Sequence, residues 1–172
     1  MYFATCGTLL GIIRENALLK GDDDVDYGIL VEEESTWKKL ETHLSNYGFR
    51  KIRQFKYLGI VREQAYKKDQ LTVDFFGHFK DGDVYGCFKD SNISYEADRY
   101  YSVIRMSEKA IAGTRKVNFN NIQVTVPQNT EEHLVALYGE GWRIPDPTWH
   151  ETSEGRKNIV VMSEYGIGEI VE

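Results

Sequence analysis

The stretch GDDDVDYGI, residues 21–29, sets Asp22, Asp23, Asp24 and Asp26 within five positions and then turns apolar. Charges of one sign packed this closely repel, so a fold that keeps them together needs a compensating partner. In a strand, residues two apart share a face. With a strand over residues 25–31 and Asp24 and Asp26 at its head, both carboxylates point the same way and Val25 turns into the core. Two carboxylates a few ångströms apart disfavour each other's ionisation unless a cation lies between them. A divalent ion with oxygen ligands meets that need. Mg²⁺ in particular is held by a couple of carboxylates plus substrate phosphates.

Two further stretches belong with this one. In LTVDFFGHF, residues 71–79, Asp74 stands among Val73, Phe75 and Phe76. A lone carboxylate in an apolar strand needs a partner. Either it joins Asp24 and Asp26 at the metal, where it also accepts the proton of an acceptor hydroxyl, or it pairs with a Lys or Arg. Upstream, CGTLLGIIR, residues 6–14, places Gly7 and Thr8 at a strand-to-helix turn. Backbone N–H groups and a hydroxyl at such a turn form a phosphate cradle. Arg14 and Lys20 are placed to reach anionic oxygens.

The span GTLLGIIRENALLKGDDDVDYGI, residues 7–29, resembles the LicD/fukutin-related family of the nucleotidyltransferase superfamily. Gly7 and Thr8 match the family turn, Asp24 and Asp26 its Asp-x-Asp pair, and Asp74 in VDFF its third aspartate. VTVPQNTEEHLVALYGEGWRIPDP, residues 124–147, is similar to a later family segment. The likeness runs over residues 2–149. The chain departs from the family in carrying Gly21 where a Trp usually precedes the acidic block, and in lacking a helix before the first strand. The resemblance implies a nucleotidyltransferase-like mixed β-sheet flanked by helices. It also implies Mg²⁺ or Mn²⁺ at Asp24, Asp26 and Asp74, and donor phosphate at Gly7, Thr8 and Arg14. The implied reaction moves phosphocholine, a polyol phosphate or a nucleotidyl group from a nucleotide diphosphate donor, CDP-linked in some members, to a sugar or glycan hydroxyl.

Composition agrees with a globular domain. Of 172 residues, 41% are hydrophobic, 28% charged and 13% aromatic, enough to build one packed domain. The formal net charge of -6, with no run of Lys or Arg, argues against a bare nucleic-acid-binding role. No apolar stretch approaches the ~20 residues of a membrane span, and no signal peptide pattern opens the chain. Cys6 and Cys87 lie in no metal-ligand spacing and read as buried thiols in a reducing, cytoplasmic setting.

The patterning predicts an α/β (α+β) fold in one domain over residues 1–150, followed by a C-terminal extension, residues 151–172, without an evident partner. Strands are expected at residues 2–5, 25–31, 49–55, 57–62, 71–79 and 84–89. A hairpin is expected at 116–126 around Asn120-Asn121. Helices are expected at 8–14, either capped by Thr8 or entered through a tight Gly7-Thr8 turn, from Ser35 to a stop at Gly48, and at 131–138, capped by Thr130. Residues 90–99 read as irregular. His43 reads as solvated, and His78, His133 and His150 as structural or exposed. Tyr138, Trp142 and Trp149 form either an aromatic wall for a ligand or part of the core.

Two other functional readings fit parts of the pattern. Asp22, Asp24, Asp26 and Glu33 fall at positions one, three, five and twelve of a calcium-binding loop, although Tyr27 stands where that loop needs Gly. A catalytically inactive nucleotide-binding relative keeps the same motifs.

Overall fold

The computed structural model describes residues 1–90, 99–149 and 159–170, with side chains at 1–87 and 103–149. Strand β1 (Tyr2–Ala4) leads into a short helix α1 (Cys6–Leu10), which widens into a π-helical turn, Gly11–Glu15. Then come β2 (Asp24–Leu30), α2 (Ser35–Asn46), β3 (Arg50–Tyr57), β4 (Ile60–Lys68), β5 (Leu71–Asp81) and β6 (Val84–Asp90). They are followed by β7 (Arg99–Ser107), α3 (Glu108–Ile111), β8 (Thr114–Phe119), β9 (Ile122–Pro127), α4 (Thr130–Tyr138) and β10 (Ile159–Ile170).

Eight strands form one mixed sheet in the order β1-β2-β5-β4-β3-β10-β7-β6. β6 also pairs with β5, which closes the last six strands into a ring. β2 and β5 run parallel, with Asp26 opposite Asp74. The other ladders are antiparallel. The expected mixed α/β sheet flanked by helices is therefore present.

Period-two alternation in β2 and β5 separates the two faces. Ile29, Val73 and Phe75 face α2 and meet Trp37, Leu40 and Leu44, which recur at helical spacing. Gly48, at φ 83°, adopts the left-handed conformation that ends this helix. On the opposite face, Phe3, Phe76, Ile104, Met106 and Leu137 pack under α3 and α4. Beside them Leu9, Val126, Leu134 and Trp142 join α1 to the β8–β9 hairpin. Cys6 and Cys87 are buried thiols. Among the described residues, no helix is long and apolar enough to cross a membrane.

Several elements differ from expectation. The strand expected at 57–62 is interrupted by a turn: β3 ends at Tyr57, Leu58 (φ 51°) and Gly59 (φ 76°) reverse the chain, and β4 begins at Ile60. Leucine carries no turn signal, and its left-handed backbone costs about 1–2 kcal/mol. Asparagine tolerates that conformation. Leu58→Asn is therefore expected to raise stability by about 1 kcal/mol, since Leu58 is exposed and gives up little packing. A urea midpoint equal to or below that of the parent would refute the assignment of strain.

The other corrections concern caps and strands. Thr5, not Thr8, is the N-cap of α1, and Thr8 lies inside the helix. Thr130 is the first residue of α4, its hydroxyl donating to the Pro127 carbonyl at 2.8 Å, while Asn129 holds the cap position. β7 fills a stretch left unassigned. β10 pairs with β3 and β7 where no partner was evident. Of the segment read as irregular, residues 91–98 lie outside the described residues, as does His150. The hairpin at Asn120-Asn121 is present, with φ of 46° and 65° at the two asparagines.

Candidate active site

A cleft of about 930 Å³ opens where the heads of β2 and β5 meet α1 and the loop after α4. Its floor is built by strand register. Arg53 on β3 lies opposite Ala65 on β4, Ala65 opposite Asp74 on β5, and Asp74 opposite Asp26 on β2. Residues so aligned share a face, so one row across four strands carries Arg53, Ala65, Asp74 and Asp26. The next row carries Phe55, Glu63 and Phe76. All of these except Ala65 line the cleft, together with Asp22 and Asp24.

The acidic block folds as its spacing requires. Asp24 and Asp26 head β2 with Val25 between them packed against the α2 side. Asp22 precedes the strand, its N–H bonded to the Leu19 carbonyl at 3.2 Å. Asp22, Asp24 and Asp26 each present an oxygen within 4.8 Å of the others. Asp26 is 8% exposed.

The turn beside them is specific. Cys6, at φ 45°, bends the chain sharply between β1 and α1. That bend points the Gly7 N–H at Asp26 Oδ2, 3.1 Å away. A Cβ at Gly7 would stand 2.5 Å from Asp22 Oδ2, so a side chain here would push the Asp22 carboxylate aside. The Asp26 N–H donates to Thr8 Oγ1 at 2.9 Å. Thr8 is buried and its side chain secures the Asp26 backbone, whereas Gly7 lines the cleft.

Behind the turn stands a buried support. His133 Nδ1–H donates to the Ala110 carbonyl at 3.1 Å, which leaves Nε2 to accept from the Thr5 hydroxyl at 2.8 Å. His78 lies 6.0 Å from His133, and the Phe3 ring meets both edge-on. Burial pushes the His78 imidazole down to about 4. Burial, with His78 alongside, pushes His133 down to about 3. Both are neutral at pH 7, and both are structural.

Arg14 lines the cleft, but its guanidinium is engaged: Nε–H donates to Glu15 at 2.6 Å and Nη1–H to the Trp142 carbonyl at 3.1 Å. It ties the π-helical turn to the loop after α4. Lys20 also reaches the cleft. Tyr138, Trp142 and Trp149 all line the cleft, and Trp142 also belongs to the buried core. Asp74 pairs with Arg53, Nη2 to Oδ2 at 2.9 Å, and Glu63 lies 3.7 Å from the same guanidinium. The arginine partner allowed for Asp74 is therefore present, and Asp74 still stands directly beside Asp26.

The calcium-loop reading fails on geometry. Residues 24–30 are a strand and not a loop, and Glu33 lies past its far end, bonded to Lys39. At about 3.3 Å per residue the strand carries Glu33 some 20 Å from Asp24.

Comparison with known proteins agrees with the motifs. The family model described as LicD/FKTN/FKRP, nucleotidyltransferase domain, matches residues 1–129. The chain belongs to the LicD/FKTN/FKRP family. An uncharacterized protein of Rickettsia typhi is 28% identical over 139 residues, covering 81% of this chain. The chain spans 40% of that relative's length. The crystal structure of ANT(2")-Ia in complex with adenylyl-2"-tobramycin aligns with a TM-score of 0.48 at 12% identity, over 87% of this chain and 71% of that one. In this LicD-family domain the matched region holds Gly7, Thr8, Asp24, Asp26 and Asp74, and also Asp22, Arg53 and Glu63.

Proposed function

We propose that this domain is a divalent-metal-dependent transferase. It moves a phosphoryl-linked group (phosphocholine, a polyol phosphate or a nucleotidyl unit) from a nucleotide diphosphate donor, CDP-linked among the candidates, to a sugar or glycan hydroxyl. The observation that carries the reading is the gathering of Asp22, Asp24 and Asp26 oxygens within 4.8 Å beside the Gly7 N–H, in a cleft large enough for a nucleotide.

The donor set fits Mg²⁺ or Mn²⁺. Its ligands are hard carboxylate oxygens, and the glycine beside them leaves their space clear. A divalent ion held there supplies positive charge against the charge that develops on the transferred phosphate. The chain's own residues do the rest. Asp22, Asp24 and Asp26 hold the ion, and the Gly7 turn and Lys20 receive donor phosphate. Arg14 holds the wall loop in place. Asp74 takes the proton from the acceptor hydroxyl as its oxygen bonds to phosphorus. The bond from phosphorus to the bridging oxygen of the donor diphosphate breaks, and that oxygen leaves with the remaining phosphate. Tyr138, Trp142 and Trp149 offer flat faces to a base or sugar ring.

Thermal unfolding with Mg²⁺, Mn²⁺ or Ca²⁺, each alone and with CDP-linked donors, tests the reading. Mg²⁺ or Mn²⁺ together with a donor is expected to raise the midpoint by several degrees beyond either alone, and Asp24→Asn is expected to abolish the gain. No response to any divalent ion, or an equal response in Asp24→Asn, overturns the assignment.

A further inference from the structure

Asp74 and Glu63 are 5% and 3% exposed, and both lie within the same acidic cleft as the metal-binding trio. Carboxylates this deeply buried require positive charge in contact. Arg53 supplies it. Ala65, fully buried between Arg53 and Asp74 in the register row, is short enough for the guanidinium to pass over it. The contacts are 2.9 Å to Asp74 and 3.7 Å to Glu63. The guanidinium also lies 5.4 Å from the centre of the Phe55 ring, which limits its freedom. A planar, permanently charged group held against Asp74 Oδ2 neutralises that carboxylate and repels a dication brought close.

We infer that Arg53 is the fixed second cation of this site: it positions Asp74 and takes the place of a second metal ion, so that the chain loads one divalent ion. The inference rests on the metal reading above. Sites that use two ions hold them roughly 3.5–4 Å apart between shared carboxylates. Here the carboxylate next to Asp26 is already shared with a guanidinium.

The test counts bound Mn²⁺ per chain by equilibrium dialysis and by the Mn²⁺ electron paramagnetic resonance signal, without donor. Wild type and Arg53→Lys are expected to bind one ion, and Asp24→Asn none. Arg53→Met, similar in length but uncharged, is expected to bind two, because Asp74 and Glu63 have lost their guanidinium. Its unfolding midpoint should then rise more with Mn²⁺ than that of wild type. Two ions on wild type, or a folded Arg53→Met that takes one, overturns the inference while leaving the metal reading intact. No ion on wild type removes both. If Arg53→Met does not fold, Arg53→Gln, which also removes the charge, takes its place: two ions support the inference and one overturns it.

Discussion

Asp26→Asn is expected to lower transfer on the order of 10³-fold or more while leaving the fold in place. Asp26 has two jobs in the structure, and the substitution separates them. Its Oδ2 accepts the Gly7 N–H, which holds the turn against the sheet. Its charge, with those of Asp22 and Asp24, makes the cation site. An asparagine side chain has nearly the same shape and keeps an oxygen that accepts the Gly7 N–H, while the backbone N–H still reaches Thr8. What disappears is the negative charge. The expected picture is an unfolding midpoint within a few degrees of wild type, loss of the Mn²⁺ response, and near-complete loss of turnover with the donor that stabilises wild type. Turnover within a few-fold of wild type, in a variant of native circular dichroism, sinks the metal assignment. Asp74→Asn should be nearly as inactive but should keep its Mn²⁺, because its partner in the structure is Arg53.

That contrast also marks what the sequence could and could not reveal. Asp24 and Asp26 are legible because alternation in a strand is local, and Asp74 is legible because an aspartate between Val73 and Phe75 needs a reason. Asp22 is harder: its carboxylate reaches the pair through the loop before β2, where Gly21 turns at φ 88°. Arg53 and Glu63 were hidden by one turn. A strand placed over residues 57–62 leaves Glu63 and Ala65 outside the sheet, so the row that links Arg53 to Asp74 cannot be seen. The true turn sits on Leu58, a residue without turn chemistry. Pairing of β10 with β3 and β7 is long-range, and no local pattern reports it. Thr8 shows the opposite failure. A motif position suggested a phosphate ligand, and the structure uses the hydroxyl to secure the strand that carries the acids.

The second large effect is on stability and comes from acid. Lowering the pH from 7 to 5 is expected to reduce the folding equilibrium constant by roughly 600-fold, about 4 kcal/mol, a large share of a typical domain's 5–15 kcal/mol. His78 and His133 are fully buried, and burial lowers them to about 4 and about 3 from an ordinary value of 6.5. Because the folded values are depressed, the unfolded chain binds protons first as pH falls below 6.5. Stability is therefore full above that value and is lost as pH descends toward the folded values. Between pH 7 and pH 5 each histidine contributes roughly 25-fold, since neither is protonated in the fold over that range. The Phe76 and Ala110 carbonyls offset the burial only in part, and the other groups against the two rings are the Thr5 hydroxyl and the Phe3 ring, neither of them a carboxylate. Protonating His133 also removes the lone pair that accepts from Thr5, so the turn that carries Gly7 loosens as the core does. Urea unfolding at pH 7, 6 and 5 reads the slope directly, and His78→Phe should remove about half of it. Equal stability at pH 7 and pH 5 would show that the two imidazoles are not held neutral in the core.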